Sequence, residues 1–285
     1  MTVRVGVLPH RERATALDLA RRAGEWFGAH GATVVLPKME ADLVGLPDLG
    51  VDPASFTDGL ALVISLGGDG TMLRAIDQAY QSGVAVLGVN VGQMGYLTEV
   101  EPSELDGALE RLLAGDYHVE SRMMLDVTVR SAGGAGGHWY ALNETVLEKA
   151  RTGHMARLEV GINGAFFTTY AADALIVATP TGSTAYSFSA RGPIVSPRHR
   201  CLLLTPVSPH MLFDRALVLD AAEEVGITVT GPFGAVMTVD GREVGHLDPG
   251  DVVTCTAADK PARVVSFAPR DFHQILKAKF GLSDR

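Results

Sequence analysis

The stretch SLGGDGTMLR at 65–74 places one carboxylate among residues with almost no side chain. Gly67, Gly68 and Gly70 lack Cβ atoms, so backbone N–H groups can approach an anion closely. A helical pattern begins directly afterwards and adds the unpaired N–H groups and positive dipole end of a helix N-terminus, which suit phosphate. A carboxylate there repels phosphate, but it makes chemical sense if Asp69 accepts a proton from a hydroxyl that attacks phosphorus.

A second interpretation of Asp69 is structural, because Asp commonly caps a helix N-terminus. The stretch is neither a Walker A sequence nor a GxGxxG fingerprint, so the residues alone leave both interpretations open. Thr71 lies at the start of the same helix and is a candidate ligand for donor phosphates. Arg74, one turn further, either lies on the helix surface or reaches a phosphate held at the helix start.

A second polar stretch, VATPTGSTAYSFSARGPIVSP at 177–197, surrounds the aromatic residue Tyr186 with small hydroxyl side chains. An ordinary polar turn would explain a few of these hydroxyls but not the embedded aromatic ring. Small polar groups around one aromatic ring suit a flat base with ribose hydroxyls. Within residues 179–189, the small hydroxyl residues are Thr179, Thr181, Ser183, Thr184, Ser187 and Ser189.

Two further polar positions interrupt strand-like patterns. Asn143 and Glu144 lie between apolar residues, where alternation directs one of the pair towards the apolar side. The amide can donate and accept hydrogen bonds, and the carboxylate can accept from two hydroxyls. Asp173 precedes the apolar run ALIVAT, and His154 follows a glycine. Asp173 could also be an ordinary acid of a surface loop, and His154 could equally be only a turn histidine.

The elements that must position these residues show two different patterns. Up to about residue 115, short apolar strands alternate with amphipathic helices, which predicts a parallel sheet covered on both faces. Beyond it, short strands separated by Gly and Asp-Gly predict an antiparallel all-β domain. Helical spacing returns at the end of the chain. We therefore expect an α/β domain over 1–115, with 268–285 packing back on it, and a β-rich nucleotide-binding domain over 116–267.

Composition and charge exclude several classes of function. A net charge of −9, with scattered basic residues, argues against a nucleic-acid-binding protein. No apolar run approaches the roughly 20 residues of a membrane span, and the N-terminus does not resemble a secretory signal. Cys201 and Cys255 have no CxxC spacing, so a disulfide framework or zinc site is not expected. These features favour a cytoplasmic protein.

Together, the motifs resemble those of the NAD kinase family. LGGDGTML at 66–73 is similar to the diagnostic stretch of a superfamily that includes NAD kinases, lipid kinases and 6-phosphofructokinases. The segment 177–197 is similar, nearly residue for residue, to the long signature of NAD kinases. Three further matches follow the family order: LGVNVGQMGYLTEV at 87–100, ALNETVLEK at 141–149 and SPHMLFDRALVL at 208–219.

The resemblance implies transfer of a phosphoryl group from ATP or polyphosphate to the 2′-hydroxyl of the adenosine ribose of NAD, giving NADP. Asp69 is then the catalytic base, and the donor phosphates are bound by Gly67, Gly68, Gly70, Thr71 and Arg74. The expected NAD-binding residues are Asp69, Gly70, Asn143, Glu144, His154, Asp173, Thr184, Ala185, Tyr186, Ser189 and Arg242. Mg²⁺ is expected to arrive with the donor, with no metal site formed by the chain alone. The family also implies a homo-oligomer, either a dimer or a tetramer.

Several positions depart from the family pattern. Arg191 replaces one of two glycines, Ala174 stands where glycine is usual, and Arg242 stands where glutamine is frequent. Gln93-Met94 replaces a common Arg-Leu pair, and Ala171 occupies an often basic position. The departures leave two alternatives open: a paralogous kinase of another nucleotide or nucleoside, and a non-catalytic NADP-binding sensor. A lipid kinase is disfavoured, because the hydroxyl-rich stretch has no role there.

Overall fold

The computed structural model describes residues 3–92, 95–131, 133, 136–269 and 271–282. Gln93 and Met94 lie outside the described residues. The helices are α1 (Ala14–Ala29), α2 (Lys38–Val44), α3 (Asp69–Tyr80), α4 (Leu105–Ala114), α5 (Tyr186–Ser189) and α6 (Phe272–Phe280). The strands are β1 (Arg4–Pro9), β2 (Thr33–Pro37), β3 (Gly50–Val51), β4 (Leu62–Gly67), β5 (Ala85–Asn90), β6 (His118–Arg122), β7 (Leu125–Arg130), β8 (Gly137–Ala141), β9 (Glu144–Lys149), β10 (Ala156–Ile162), β11 (Ala165–Ala172), β12 (Ala174–Ala178), β13 (Cys201–Val207), β14 (Leu217–Asp220), β15 (Val225–Val229), β16 (Ala235–Val239), β17 (Arg242–Leu247), β18 (Val252–Ala257) and β19 (Ala262–Ser266).

A mostly parallel sheet with the strand order β3-β2-β1-β4-β5-β19-β6 forms the centre of the N-terminal unit. Every residue of β4 and β5 is buried, as expected for strands covered on both faces. The chain runs from β1 to one edge through β2 and β3, and then β4 returns to the other side of β1. The carboxyl ends of β1 and β4 therefore border a topological switch point, where ligands of such sheets usually bind.

The helices of this unit cover the sheet with apolar faces at helical spacing. Leu19, Ala23 and Phe27 of α1 are buried in one core cluster with Val7 of β1 and Ile64 of β4. This packing places the strand ends beneath the loops that follow them. Across the described residues, no helix combines the length and the apolar character that a membrane span needs.

The C-terminal unit contains two antiparallel sheets with the orders β11-β10-β15-β18-β7-β8 and β14-β13-β12-β9-β16-β17. Apolar residues of both sheets share one core cluster, including Leu158 and Val253 of the first and Leu175 and Leu204 of the second. The pairing of β12 with β9 places Ala178 opposite Glu144. This register brings the hydroxyl-rich stretch, which begins at the next residue, to the start of β9.

The predicted fold class is confirmed: an α/β unit with a mostly parallel sheet, an antiparallel β unit and a C-terminal helix. The two units comprise Met1–Ser121 with Ala262–Arg285, and Arg122–Pro261. Strands β6 and β19 belong to the sheet of the first unit, although the expected boundaries assigned their residues to the β-rich domain. A strand pattern shows that a segment is extended but does not show which sheet edge it joins. Helix α6 belongs to the first unit.

Arg191 adopts a backbone conformation that explains the glycine usual at this position. It follows Ala190, the C-cap residue of α5, with φ +67°, and its N–H donates to Phe188 O at 2.9 Å. This left-handed conformation just past a helix end is the one that favours glycine. The Arg191 side chain is exposed. The departure from the family pattern therefore introduces local backbone strain.

We expect Arg191→Gly to raise the free energy of unfolding by up to about 1 kcal/mol, because relief of the left-handed strain exceeds the added entropy of the unfolded chain. Denaturant unfolding of both proteins measures this difference. Arg200→Gly is the matched control, since Arg200 is also exposed but lies outside the left-handed region. Equal or lower stability of Arg191→Gly would contradict the prediction.

Candidate active site

The glycine-rich turn lies between β4 and α3, at the carboxyl edge of the first sheet. Gly68 occupies the N-cap position of α3, and its carbonyl accepts from the N–H groups of Thr71 and Met72 at 3.0 and 3.1 Å. A Cβ atom at Gly67 would overlap the buried Thr71 side chain, whereas the space beside Gly68 and Gly70 is open. The missing Cβ of Gly67 therefore accommodates Thr71, and Gly68 and Gly70 leave the turn accessible.

Asp69 is the first residue of α3, and its carboxylate is bonded away from the helix. Oδ2 accepts from the N–H of Tyr96 at 2.9 Å, and Oδ1 accepts from the N–H of Leu97 at 3.0 Å. Because Gly68 occupies the N-cap position, the capping interpretation of Asp69 is wrong. The two backbone donors instead orient a carboxylate whose side chain remains partly accessible.

The loop that holds this carboxylate has no recognisable chemical motif in the sequence. A Cβ atom at Gly95 would overlap Oδ1 of Asp69, so a residue with a side chain could not approach so closely. The loop follows β5, which pairs in parallel with β4. The one local signal in the sequence is the glycine directly before Tyr96, within the family-like segment 87–100.

An open pocket of about 530 Å³ lies above the carboxyl ends of β1 and β4 in the first unit. Asp69 lines it, and so do cationic residues from the loop after β1, which no sequence motif marks as site residues. The lining residues are His10, Arg11, Glu12, Arg13, Gly68, Asp69, Gly70, Thr71 and Arg74. The pocket thus combines an accessible helix N-terminus with three guanidinium groups, a suitable environment for phosphate.

Arg74 is neither a plain surface residue nor a mobile cation. Its Nη2 donates to Pro9 O at 2.6 Å, and its Nη1 lies 3.3 Å from Oε1 of the buried Glu40. Burial lowers the pKa of Arg74, the Glu40 carboxylate raises it, and the neighbouring Arg11 lowers it again. The guanidinium is therefore held in a fixed position on the pocket wall.

In the second unit, Asp240 holds the backbone around Asn143 and Glu144. Its carboxylate accepts from the N–H groups of Leu142, Asn143 and Glu144 at 2.8, 2.8 and 3.1 Å. Asp240 has φ +47°, in the turn between β16 and β17. From the sequence, this Asp-Gly pair is predicted only to form a turn between strands. The pair serves as a turn and as an anchor for the Asn143-Glu144 segment.

The turn after β12 packs directly on the same segment. The N–H of Thr179 donates to Asn143 O at 2.8 Å, and the Thr179 hydroxyl donates to Leu142 O at 2.5 Å. A Cβ atom at Gly182 would overlap the Asn143 backbone. The two sequence motifs, 177–197 and Asn143-Glu144, are thus brought together by close backbone packing.

The hydroxyl side chains of the stretch fall into two groups. Thr179, Ser183 and Ser187 are fully buried and bond within the protein; Ser183 bonds the backbone of Val195, and Ser187 Oγ lies 3.0 Å from Thr205 Oγ1. These three hydroxyls therefore fix the turn, since buried hydroxyls must find protein partners, and the Thr181 side chain is buried as well. The candidate residues Thr184, Ala185, Tyr186 and Ser189 remain partly or largely accessible.

Glu144 is a buried carboxyl group with an unusual pKa. Its side chain is 6% exposed, and Oε2 has no hydrogen-bond partner within the described part of the chain. Burial and the nearby Asp240 charge raise the pKa of Glu144 to about 8, although the N–H of Tyr186 donates to it and lowers the value. In the ligand-free protein this group is therefore largely a neutral acid at pH 7, not the ionised acceptor suggested by the sequence.

The other candidate residues of this unit lie near Tyr186 or in a second pocket. Burial and the carboxylates of Glu148 and Asp173 raise the pKa of Tyr186. Asp173 pairs with Lys149 at 2.5 Å and, together with His154, lines an open pocket of about 490 Å³. The His154 and Phe233 ring centroids are 4.2 Å apart. Arg242 is exposed at the first position of β17, in the hairpin that contains Asp240.

Comparison with known proteins gives a consistent result. Two family models match the chain: the ATP-NAD kinase N-terminal domain over residues 50–117 and the ATP-NAD kinase C-terminal domain over residues 142–267. The NAD kinase of Moorella thermoacetica is 41% identical over 283 residues, which cover 97% of this chain and 88% of the relative. The NAD kinase of Heliobacterium modesticaldum is 41% identical over 277 residues, covering 96% and 97%.

Two solved structures resemble this chain in fold. The structure of yeast NADH kinase complexed with NADH has a TM-score of 0.89 and 24% sequence identity, and covers 100% of this chain and 89% of that one. The structure of an NAD kinase from Archaeoglobus fulgidus in complex with ATP has a TM-score of 0.72 and 22% identity, with coverage of 99% and 98%. These structures support the two-part fold described above.

We expect Glu144→Gln to stabilise the protein increasingly as pH rises from 5 to 8. The unfolded chain ionises near the ordinary pKa of 4.5, whereas the folded carboxyl keeps its proton to about pH 8, so wild-type stability falls across this interval. The amide cannot ionise, and its gain over wild type should grow by at least about 1 kcal/mol. Denaturant unfolding at several pH values measures this, with the exposed Glu159→Gln as control. A gain independent of pH would contradict the assignment.

Proposed function

The chain belongs to the NAD kinase family, and we propose how its geometry performs phosphoryl transfer to the 2′-hydroxyl of the adenosine ribose of NAD, giving NADP. It is a phosphotransferase with an alcohol group as acceptor. The observation that carries the proposed mechanism is the Asp69 carboxylate, oriented by two backbone N–H groups beside an accessible helix N-terminus. Such an arrangement supplies a base where donor phosphates can bind.

Asp69 is the proposed general base. As the 2′-oxygen of the acceptor forms its bond to the terminal phosphorus of the donor, the bond from that phosphorus to the bridging oxygen breaks, and the hydroxyl proton passes to the carboxylate. The N–H groups of Tyr96 and Leu97 hold both carboxylate oxygens in place during this step. Positioning of this kind supplies much of the catalysis of phosphoryl transfer.

The donor phosphates are proposed to bind in the pocket of the first unit. The turn residues Gly68, Gly70 and Thr71 offer the N-terminus of α3, and Gly67 makes the packing of Thr71 possible. Guanidinium groups on the pocket wall, including that of Arg74, provide positive charge. Both ATP and polyphosphate carry the phosphate chain that this pocket would bind, and both are therefore retained as donors.

Mg²⁺ is proposed to arrive with the donor. The described residues contain no cluster of three or more His, Cys, Asp or Glu side chains that could hold a metal. Mg²⁺ in phosphoryl-transfer sites is commonly held by one or two carboxylates together with substrate phosphates. Glu12, which lines the pocket, would supply such a carboxylate. Bound Mg²⁺ would neutralise charge that develops on the phosphoryl oxygens.

The acceptor is proposed to bind through the candidate residues identified in the sequence. The unpartnered Oε2 of Glu144 supports this assignment, because a buried polar atom is stabilised by a ligand hydroxyl. Asn143 offers an amide beside it, and the accessible face of Tyr186 offers a flat surface for a base or ribose. The remaining proposed NAD contacts are Asp69, Gly70, His154, Asp173, Thr184, Ala185, Ser189 and Arg242.

The protein is proposed to act in the cytoplasm. The two cysteines are unpaired and buried, which agrees with a reducing compartment.

The protein is also proposed to form a homo-oligomer. Edge strand β11 and a nearby loop carry exposed apolar side chains, and the Phe167 and Phe213 rings contact each other with centroids 5.8 Å apart. The exposed side chains are Phe166, Phe167, Leu212 and Phe213. Exposed apolar groups of this kind often mark subunit interfaces.

A panel of kinase assays tests the proposed function directly. Purified protein is incubated with each donor, ATP or polyphosphate, in the presence of Mg²⁺ and with NAD, NADH or another nucleoside or nucleotide as acceptor. Formation of NADP from NAD is the expected result. If the protein binds NADP but turns over no combination of donor and acceptor, the enzymatic assignment is contradicted.

We expect Phe166→Ser with Leu212→Ser to reduce the molar mass measured by light scattering, because two exposed apolar contacts are lost. Val218→Ser is the control, since Val218 is also exposed but lies on edge strand β14 of the other sheet. A monomeric wild-type protein, or an unchanged mass in the double variant, would exclude this surface as a subunit interface.

We expect Asp69→Asn to reduce kcat by about 10²–10⁴-fold, the usual contribution of a general base. Binding of the acceptor should stay within about tenfold of wild type, because the amide keeps the shape of the side chain and one acceptor oxygen for the loop N–H groups. Steady-state kinetics and direct binding measurements test these two effects separately. Asp77→Asn, on the exposed face of the same helix, is the control. More than about a tenth of the wild-type kcat in Asp69→Asn would refute the role of base.

A further inference from the structure

Glu40 is a buried charged residue to which neither the sequence nor the proposed chemistry assigns a role. It lies in α2 and is 1% exposed. Its Oε1 accepts from Arg11 Nε at 2.9 Å and lies 3.3 Å from Arg74 Nη1, while Oε2 is buried without a hydrogen-bond partner in the described part of the chain. A buried carboxylate is costly unless it is well paired, and Glu40 is only partly satisfied.

The two cationic partners of Glu40 both line the pocket beside Asp69. They come from different elements, since Arg11 lies in the loop after β1 and Arg74 lies in α3. Glu40 therefore connects two walls of one pocket. A residue that served only the fold could be replaced by an apolar side chain, often at no cost in stability.

The two guanidinium groups depend on Glu40 to different degrees. Arg74 is held a second time, by its bond to Pro9 O at 2.6 Å. The Arg11 side chain is 45% exposed, and Glu40 anchors its Nε. Because the two guanidinium groups repel each other, the carboxylate between them is what keeps Arg11 close to Arg74.

We propose that Glu40 is a positioning residue for the donor: it holds Arg11 and Arg74 together on the pocket wall, ready to bind phosphate oxygens. The three side chains carry a net positive charge, so an incoming phosphate is attracted, and the guanidinium groups need not be ordered at the moment of binding. This inference rests on the proposed function, because it takes the pocket as the donor site. The ligand chemistry is phosphate, which ATP and polyphosphate share.

The test is calorimetric titration of the full-length protein with ATP–Mg²⁺ and, separately, with inorganic tripolyphosphate. Glu40→Gln retains the size of the side chain and one acceptor oxygen but removes the charge between the arginines. We expect the Kd of both ligands to rise about tenfold, as for the loss of one charge-assisted hydrogen bond. The Kd of NAD should stay within about twofold, a difference that general loss of structure would not produce.

Arg11→Ala gives a second test that does not alter a buried group. It should also raise the Kd of both phosphate ligands. In the double variant with Glu40→Gln, the Kd should rise by less than the product of the two single-variant fold changes, because the two residues act through the same contact. Arg22→Ala is the matched control, because Arg22 is exposed in the same unit and pairs with Asp106 at 3.0 Å, outside the pocket lining. This variant should bind both phosphate ligands as wild type does.

The results separate this inference from the proposed function. An unchanged Kd for both phosphate ligands in Glu40→Gln and Arg11→Ala, or an equal loss of NAD binding, would overturn the role of Glu40 even if the wild-type protein is an active kinase. Weakened binding of tripolyphosphate as well as ATP supports it, whereas weakened binding of ATP alone would overturn a role in holding phosphate. Absence of turnover in the wild-type protein bears on the proposed function, and the binding measurements still decide the role of Glu40.

Discussion

The two hydrogen bonds from the Tyr96 and Leu97 N–H groups to Asp69 are the interaction on which the proposed chemistry depends. They turn a carboxylate at the start of α3 away from the helix and fix both of its oxygens. The bonds form only because β4 and β5 pair in parallel, with Gly67 opposite Asn90, so that the segments that follow both strands leave the sheet at the same edge. They also require Gly95, whose missing side chain allows the loop to approach the carboxylate.

Glu40 and Glu144 are both buried, and the desolvation cost of a carboxylate is reduced in a different way at each of them. Glu40 is placed between two guanidinium groups, so its charge is balanced and it draws positive charge to the proposed donor pocket. Glu144 has another carboxylate, Asp240, as its neighbour, and burial with that charge raises its pKa to about 8. One site is thus prepared for an anion, and the other offers a neutral acid with an unpartnered oxygen to a ligand that can hydrogen-bond.

Some residues of the hydroxyl-rich stretch stabilise the turn, and others are accessible to a ligand. Its buried members, such as Thr179 and Ser187, bond to the protein and fix the turn on the Asn143 backbone. Its accessible members, such as Thr184 and Tyr186, are thereby held at defined positions next to Glu144. A motif rich in one type of side chain can therefore be mostly scaffold, and burial distinguishes the scaffold residues from those that can touch a ligand.

The sequence by itself determined the fold class and the residues within the motifs, because hydrophobic periodicity and the glycine-rich turn at Asp69 are local features of the chain. It did not identify Arg11, Glu40, Gly95 or Asp240 as parts of the candidate site. Each of these residues lies far along the chain from its partner; Glu40 meets Arg74, and Asp240 meets Glu144, only where strand pairing and helix packing bring distant segments together. Burial, which raises the pKa of Glu144 and leaves its Oε2 without a partner in the described chain, is likewise a property of the assembled core. Tertiary structure decided these features because electrostatic and hydrogen-bond partners are set by distance in space, and spacing along the chain does not encode that distance.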